Sequence, residues 1–237
     1  MDFTGRNSKE GADSAFHEIS GQIEILIKKE QRQKIENYKF LNQYAPKRQI
    51  LFTGSSLMEQ FPISELCLSH GIRKAVYNRG IGGYTTDDFL EEIDTVLFDL
   101  EPSKVFINIG TNDIKQWPAG RDWMIHLLKN YEIILRMSKE RLPHTRMYLM
   151  AYYPVNAQLS DMQPFAEQML KVRTNENIRR VNQHMAELAK EFGYDFINVN
   201  QGLTDENNNL KEEYTIEGVH MYANAYWVIF QNLKQYL

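Results

Sequence analysis

Four short polar stretches of this chain carry residue types that do chemistry. In Gly54-Ser55-Ser56-Leu57-Met58-Glu59 a glycine turn is followed by hydroxyls at the start of a helix. There, backbone N–H groups and the helix dipole favour developing negative charge, which suits a nucleophile. The same residues also read as a capping box, with Ser56 and Glu59 satisfying free N–H groups of the first turn. Asn78-Arg79-Gly80-Ile81-Gly82-Gly83 packs three glycines into four positions. That is either a tight turn or a place where backbone N–H groups approach a ligand, because glycine has no Cβ to block the way. Gly110-Thr111-Asn112-Asp113 offers an Asn amide that can close an Asx turn or donate to an oxyanion. Of the six histidines, His17, His70, His126, His144, His184 and His220, only His220 sits in a glycine-containing loop with a carboxylate, Glu217, three residues before it. It is either a surface histidine or a general base whose ring a neighbouring acid orients.

The elements that must position these residues follow from hydropathy patterning. Short β-branched and aromatic runs, QILFTG, KAVYNRG, KVFINIG, RMYLMAYYP and YDFINVN, predict five strands. Helical patterns lie between them at about 85–99, 121–141 and 175–192, and a last one follows at about 222–236. Strands that alternate with helices and lack hairpin turns need crossover connections, so the fold class is α/β: a mainly parallel five-stranded sheet in a three-layer α/β/α sandwich. In such sheets ligands bind beyond the carboxyl ends of the strands. All four stretches fall there or, for His220, just before the last helix, which coincidence explains poorly. Residues 1–14 read as a loose polar tail. Phe16, Ile19, Ile23 and Leu26, then Ile35, Tyr38 and Leu41, predict one long amphipathic helix ending near Pro46. It either packs on the edge of the main domain or forms a homodimer contact. The chain divides into residues 1–47, tail and helix, and a domain over 48–237; the one patternless insertion is at about 155–172.

At the four stretches the sequence resembles the SGNH hydrolases, the GDSL-like lipase and acylhydrolase superfamily, from about Gln49 to Leu237. The resemblance implies the flavodoxin-like strand order 2-1-3-4-5. It implies Ser56 as nucleophile, His220 as general base, Glu217 as the acid of the triad, and an oxyanion hole from the N–H groups of Ser56 and Gly83 with the side-chain amide of Asn112. Two departures stand out. Ser55 replaces the acidic residue before the nucleophile, and Glu217 replaces the usual Asp with a side chain one methylene longer, which must fold back or shift to reach Nδ1 of His220. Tyr222-Ala223-Asn224-Ala225 stands where the family carries Asn-x-x-Gly, a variation at a helix start. Within the superfamily the chain is most similar to platelet-activating-factor-type acetylhydrolases and bacterial carbohydrate esterases. The G-x-S-x-G elbow of α/β-hydrolases is absent, since Met58 stands two positions after Ser56.

Composition narrows the remaining classes. The 237 residues are 43% hydrophobic and 24% charged, which excludes disordered, collagen-like and coiled-coil chains. A net charge of −4 without a basic stretch argues against nucleic acid as a partner. Cys67 stands alone, so neither a disulfide nor a zinc motif is expected, and a reducing, cytoplasmic setting fits. No apolar run reaches membrane-spanning length, and no secretory signal pattern opens the chain. The expected activity is two-step acyl transfer on a small-molecule ester, with no metal or organic cofactor. Residues from Tyr153 to Phe165, with Pro154, Asn156 and Met162, and Trp117-Pro118 are expected to wall the pocket. Short acyl esters, such as acetates of a sugar or small alcohol, are the preferred substrates. Thioesters and lysophospholipids remain open, as does a glycan-binding module that kept the fold and lost turnover.

Overall fold

The computed structural model describes residues 4–118 and 120–237, with the backbone alone for residues 4–20. In chain order the elements are α1 (Thr4–Tyr44), β1 (Ile50–Gly54), α2 (Ser56–Glu59), α3 (Ile63–Ser69), β2 (Val76–Asn78), α4 (Thr86–Glu91), β3 (Lys104–Asn108), α5 (Trp123–Arg141), β4 (Arg146–Met150), α6 (Pro164–Leu170), α7 (Asn175–Phe192), β5 (Asp195–Ile197) and α8 (Ala223–Leu233). A π-helical turn at Asp94–Phe98 and a 3₁₀ turn at Thr111–Asp113 complete the elements near the site.

The five strands form one sheet in the order β2-β1-β3-β4-β5, and every pair is parallel. Side chains alternate between its faces. Leu51, Val105, Ile107, Met147 and Leu149 face a core shared with α1, α4, α5 and α7. Ile50, Phe52, Phe106, Tyr148 and Met150 face a second core shared with α2, α3 and α8. On that second face Phe52 stacks on Phe106 at 4.6 Å and Phe106 on Tyr148 at 4.8 Å. Both faces being covered explains why the strands read as continuous apolar runs rather than alternating ones. The three-layer sandwich and the strand order are as expected.

Two expectations need correction. Residues 4–14 do not form a separate loose tail: the backbone is helical from Thr4, continuous with the amphipathic stretch. No proline interrupts the segment, and isolated glycines such as Gly5 and Gly11 cost a helix only about 1 kcal/mol each. Met1 to Phe3, and the side chains of Phe16 and Ile19, lie outside the described residues. The insertion at 155–172 holds a helix, α6, begun by Pro164, whose fixed φ suits the first helical turn. Along α1, Gln31, Ile35 and Asn42 are buried against the domain, as edge packing requires, while Ile23, Ile25 and Leu26 are more than half exposed. Among the described residues no helix is long and apolar enough to cross a membrane.

Candidate active site

Because the strands are parallel, the segments that follow β1, β2 and β3 leave the sheet at the same edge. Gly54 ends β1 at φ +150, and a Cβ there would lie 1.9 Å from the Asn108 carbonyl oxygen across the sheet, so only glycine lets the chain turn here. The turn places Ser56 at the first position of α2. Ser56 and Glu59 do not form the capping box. The Ser56 hydroxyl instead lies 2.9 Å from Nε2 of His220, 164 residues away. The Glu59 carboxylate accepts the Gly82 N–H at 2.5 Å and pairs with Lys34 of α1 at 2.5 Å.

The glycine-rich segment after β2 packs directly on α2. A Cβ on Gly80 would come within 2.4 Å of the Glu59 backbone nitrogen, and one on Gly82 within 3.8 Å of the Ser56 Cβ. Close backbone approach, rather than turn geometry alone, therefore accounts for Gly80, whereas Gly82 has only side-chain atoms beside its Cβ position. Gly83 has φ +78, and Gln31 of α1 donates to the Gly82 carbonyl at 2.7 Å. The Gly82 carbonyl and the Gly83 N–H are opposite ends of one trans peptide, so a carbonyl held toward α1 turns the N–H away from it. Among the described residues neither the Ser56 nor the Gly83 N–H meets a protein acceptor.

After β3, Gly110 (φ +112) leads into the turn that carries Asn112. Its amide does not close an Asx turn on its own backbone. It donates to the Tyr84 carbonyl at 3.0 Å and accepts from Arg173 at 3.2 Å, tying the third stretch to the second. Asp113 is fully buried and accepts the Thr86 N–H at 3.0 Å and hydroxyl at 2.5 Å. Burial pushes its pKa up to about 6 against the opposing pull of the Thr86 hydrogen bonds.

The fourth stretch closes the site. Gly218 turns at φ +97, with the Asn156 carbonyl 2.3 Å from where a Cβ would stand. Thr215 accepts the Gly218 N–H and donates to the His220 carbonyl, and Ile216 N–H donates to that carbonyl too. In this closed loop one oxygen of Glu217 accepts both the His220 backbone N–H at 3.0 Å and Nδ1 at 2.5 Å. The longer side chain thus reaches the ring by folding back over its own turn. A carboxylate on Nδ1 assigns the proton to that nitrogen and leaves Nε2 free to accept from Ser56. Burial would raise the Glu217 carboxyl, but the hydrogen bond and charge of His220 outweigh it and hold the group below the usual carboxylate range.

Ser56, His220, Glu217, Gly83 and Asn112 accordingly gather from four separate stretches at one edge of the sheet. His126 also meets a carboxylate, Asp87, at 2.8 Å, in a contact between α4 and α5. The expected pocket walls divide. Met162 lines a cavity of about 370 Å³ with Leu159 and Leu170, and Leu170 lies 3.1 Å from the Cβ position of Gly218. Tyr153 and Asn156 are buried behind the surface, and Trp117 hydrogen-bonds the Asp113 carbonyl at 3.1 Å. Another cavity, of about 490 Å³, opens beyond β4 and β5 among Asn175, Asn182, Asn198 and Asn200, with neither Ser56 nor His220 in its lining. Asn224 holds the start of α8 through the Glu213 carbonyl at 2.8 Å, consistent with a helix-start variation. Sequence patterning did not reveal Gln31 and Arg173, whose partners lie 51 and 61 residues away. Among the described residues no three His, Cys, Asp or Glu side chains gather to hold a metal ion.

Comparison with known proteins gives the family and the fold. The family described as GDSL-like Lipase/Acylhydrolase matches residues 63–228, beginning just after the Ser56 turn. A solved structure from Streptococcus pneumoniae, provisionally assigned as a platelet activating factor, is 33% identical with a TM-score of 0.81, covering 93% of this chain and 98% of that one. An acetylxylan esterase from Geobacillus stearothermophilus shares the fold at 13% identity and a TM-score of 0.60, over 81% of this chain and 94% of its own. The N-acylneuraminate cytidylyltransferase of Escherichia coli O18:K1:H7 is 27% identical over 229 residues, which are 90% of this chain and 48% of that protein. The chain thus spans about half the length of this curated relative.

Proposed function

This chain belongs to the GDSL-like lipase/acylhydrolase family, and from that premise we propose that it is a carboxylic ester hydrolase that cleaves short-chain, chiefly acetyl, esters of a carbohydrate or small alcohol through an acyl-enzyme on Ser56. The observation that carries the proposal is the relay from Ser56 Oγ to His220 Nε2 at 2.9 Å and from His220 Nδ1 to Glu217 at 2.5 Å.

In the first step Nε2 takes the Ser56 proton as Oγ bonds to the ester carbonyl carbon. Nε2 then gives that proton to the departing alcohol as the C–O bond breaks. In the second step Nε2 takes a proton from water, which adds to the acyl-enzyme, and returns it to Oγ as the carboxylic acid leaves. Glu217 keeps the ring oriented and stabilises the imidazolium of each transition state. The negative oxygen of both tetrahedral intermediates is met by the N–H groups of Ser56 and Gly83 and by the Asn112 amide, donors of a kind worth about 10²–10³ in kcat each.

Support for acetyl esters of sugars comes from two names. The fold houses an acetylxylan esterase, and the half-matched cytidylyltransferase is named for an N-acylated sugar acid. The alternative of a glycan-binding module without turnover leaned on the replacement of Asp by Glu217, and a carboxylate seated on Nδ1 removes that support. A cytoplasmic setting rests on the single, buried Cys67.

The test is hydrolysis of p-nitrophenyl acetate and butyrate by the wild type and by Ser56→Ala purified in parallel. Acetate turned over faster than butyrate, with both activities lost in Ser56→Ala, is the expected result. Equal rates in the two proteins would overturn the nucleophile, and a preference for butyrate would overturn the acetyl assignment.

A further inference from the structure

Arg173, in the turn between α6 and α7, is 4% exposed. Among the described residues it forms no ion pair, and its Nε is buried without a partner. Burial pulls its pKa down to about 10, and the charges of Asp113 and Glu217 work against that, so the guanidinium stays charged at neutral pH. A desolvated cation without an ion pair is costly to keep. Among the described residues its one side-chain hydrogen bond, at 3.2 Å, goes to Oδ1 of Asn112.

That bond decides how the amide stands. A guanidinium can only donate and a carbonyl can only accept. With Arg173 on one side of the Asn112 amide and the Tyr84 carbonyl on the other, Oδ1 must face Arg173 and Nδ2 must face Tyr84. The reversed amide would set two donors and two acceptors against each other. Nδ2 has two hydrogens and Tyr84 takes one, which leaves the second for a ligand. A cation on Oδ1 also draws electron density from the amide and makes that hydrogen a stronger donor.

We propose that Arg173 is a positioning residue for the oxyanion hole, fixing and polarising the Asn112 amide so that its free N–H meets the developing oxyanion. The proposal rests on the esterase assignment of Ser56 and Asn112. It differs from a role in merely packing the α6–α7 turn, because it requires that Arg173 act through Asn112.

The test is a double-mutant cycle on kcat and KM for p-nitrophenyl acetate, using the full chain with Arg173→Met, Arg173→Lys, Asn112→Ala and the combined variants, with Ser56→Ala as blank. Arg173→Met is expected to lower kcat by about 10- to 100-fold with KM within about threefold, and Arg173→Lys to recover part of the loss. In the Asn112→Ala background the same change is expected to cost less than about threefold. Equal losses in both backgrounds, or a loss confined to KM, would overturn the proposal. If Arg173→Met does not fold, Arg173→Lys carries the cycle under the same criterion. Absence of Ser56-dependent turnover in the wild type would instead overturn the esterase assignment, so the two failures are distinguishable.

Discussion

Replacing Glu217 with Gln separates the charge of the triad acid from its geometry. One oxygen of Glu217 accepts both the backbone N–H and Nδ1 of His220. A Gln carbonyl oxygen can take both bonds, so the ring stays oriented and only the negative charge is lost. Taking about 4 Å between the charge centres and an effective dielectric of about 20, the carboxylate stabilises an imidazolium by about 4 kcal/mol. The His220 side chain is 29% exposed, against 11% for Glu217. Solvent screening on the histidine side brings the figure to about 3 kcal/mol, a loss of roughly 100- to 200-fold in kcat. KM should stay within about threefold, because the substrate does not touch the carboxylate. Steady-state kinetics with p-nitrophenyl acetate, on protein whose thermal midpoint matches the wild type, supplies the check. A kcat within fivefold of wild type, or a loss carried by KM, would refute the electrostatic role. Glu217→Asp should fare no better. The shortened side chain falls short of Nδ1, and the backbone at Gly218, walled by the Asn156 carbonyl, cannot advance to compensate.

Two other perturbations follow from the same geometry. The folded-state pKa of Asp113, about 6, lies above its ordinary 3.8, so the folded state holds this proton more tightly and loses stability as pH rises through that window. Between pH 4.5 and 7.5 the loss amounts to about 2 kcal/mol. Urea unfolding of Asp113→Asn should show that much less decline than the wild type over the interval, and a difference that does not change with pH would count against a buried, proton-holding Asp113. Gln31→Met keeps length and bulk but releases the Gly82 carbonyl; with the Gly83 peptide no longer clamped, kcat should fall about tenfold at constant KM, the scale of one hydrogen bond. Unchanged turnover would mean that α2 alone holds the glycine segment.

Much of this protein was legible before any coordinates. The alternation of β-branched runs with helical patterns reports burial at periods of two and 3.6 residues, and from it came the class, the five strands and the segments at their carboxyl ends. The four short stretches stood out because glycines at turns and polar side chains just past strands leave a local trace, and the family resemblance then picked Ser56, Gly83, Asn112 and His220 out of them. Tertiary structure decided the rest. In sequence Ser56 and Glu59 fit a capping box as well as a nucleophile; it is the meeting with His220, Gly82 and Lys34 that draws both side chains away from their own helix. Whether Glu217 reaches Nδ1 depends on how Thr215 closes the loop around the turn at Gly218, which the glycine by itself does not specify. Gln31 and Arg173 lie in segments with nothing to set them apart from ordinary polar positions. Their roles arise from single contacts across 51 and 61 residues of chain, and a polar contact between distant segments has no period and leaves no local pattern for a sequence to display.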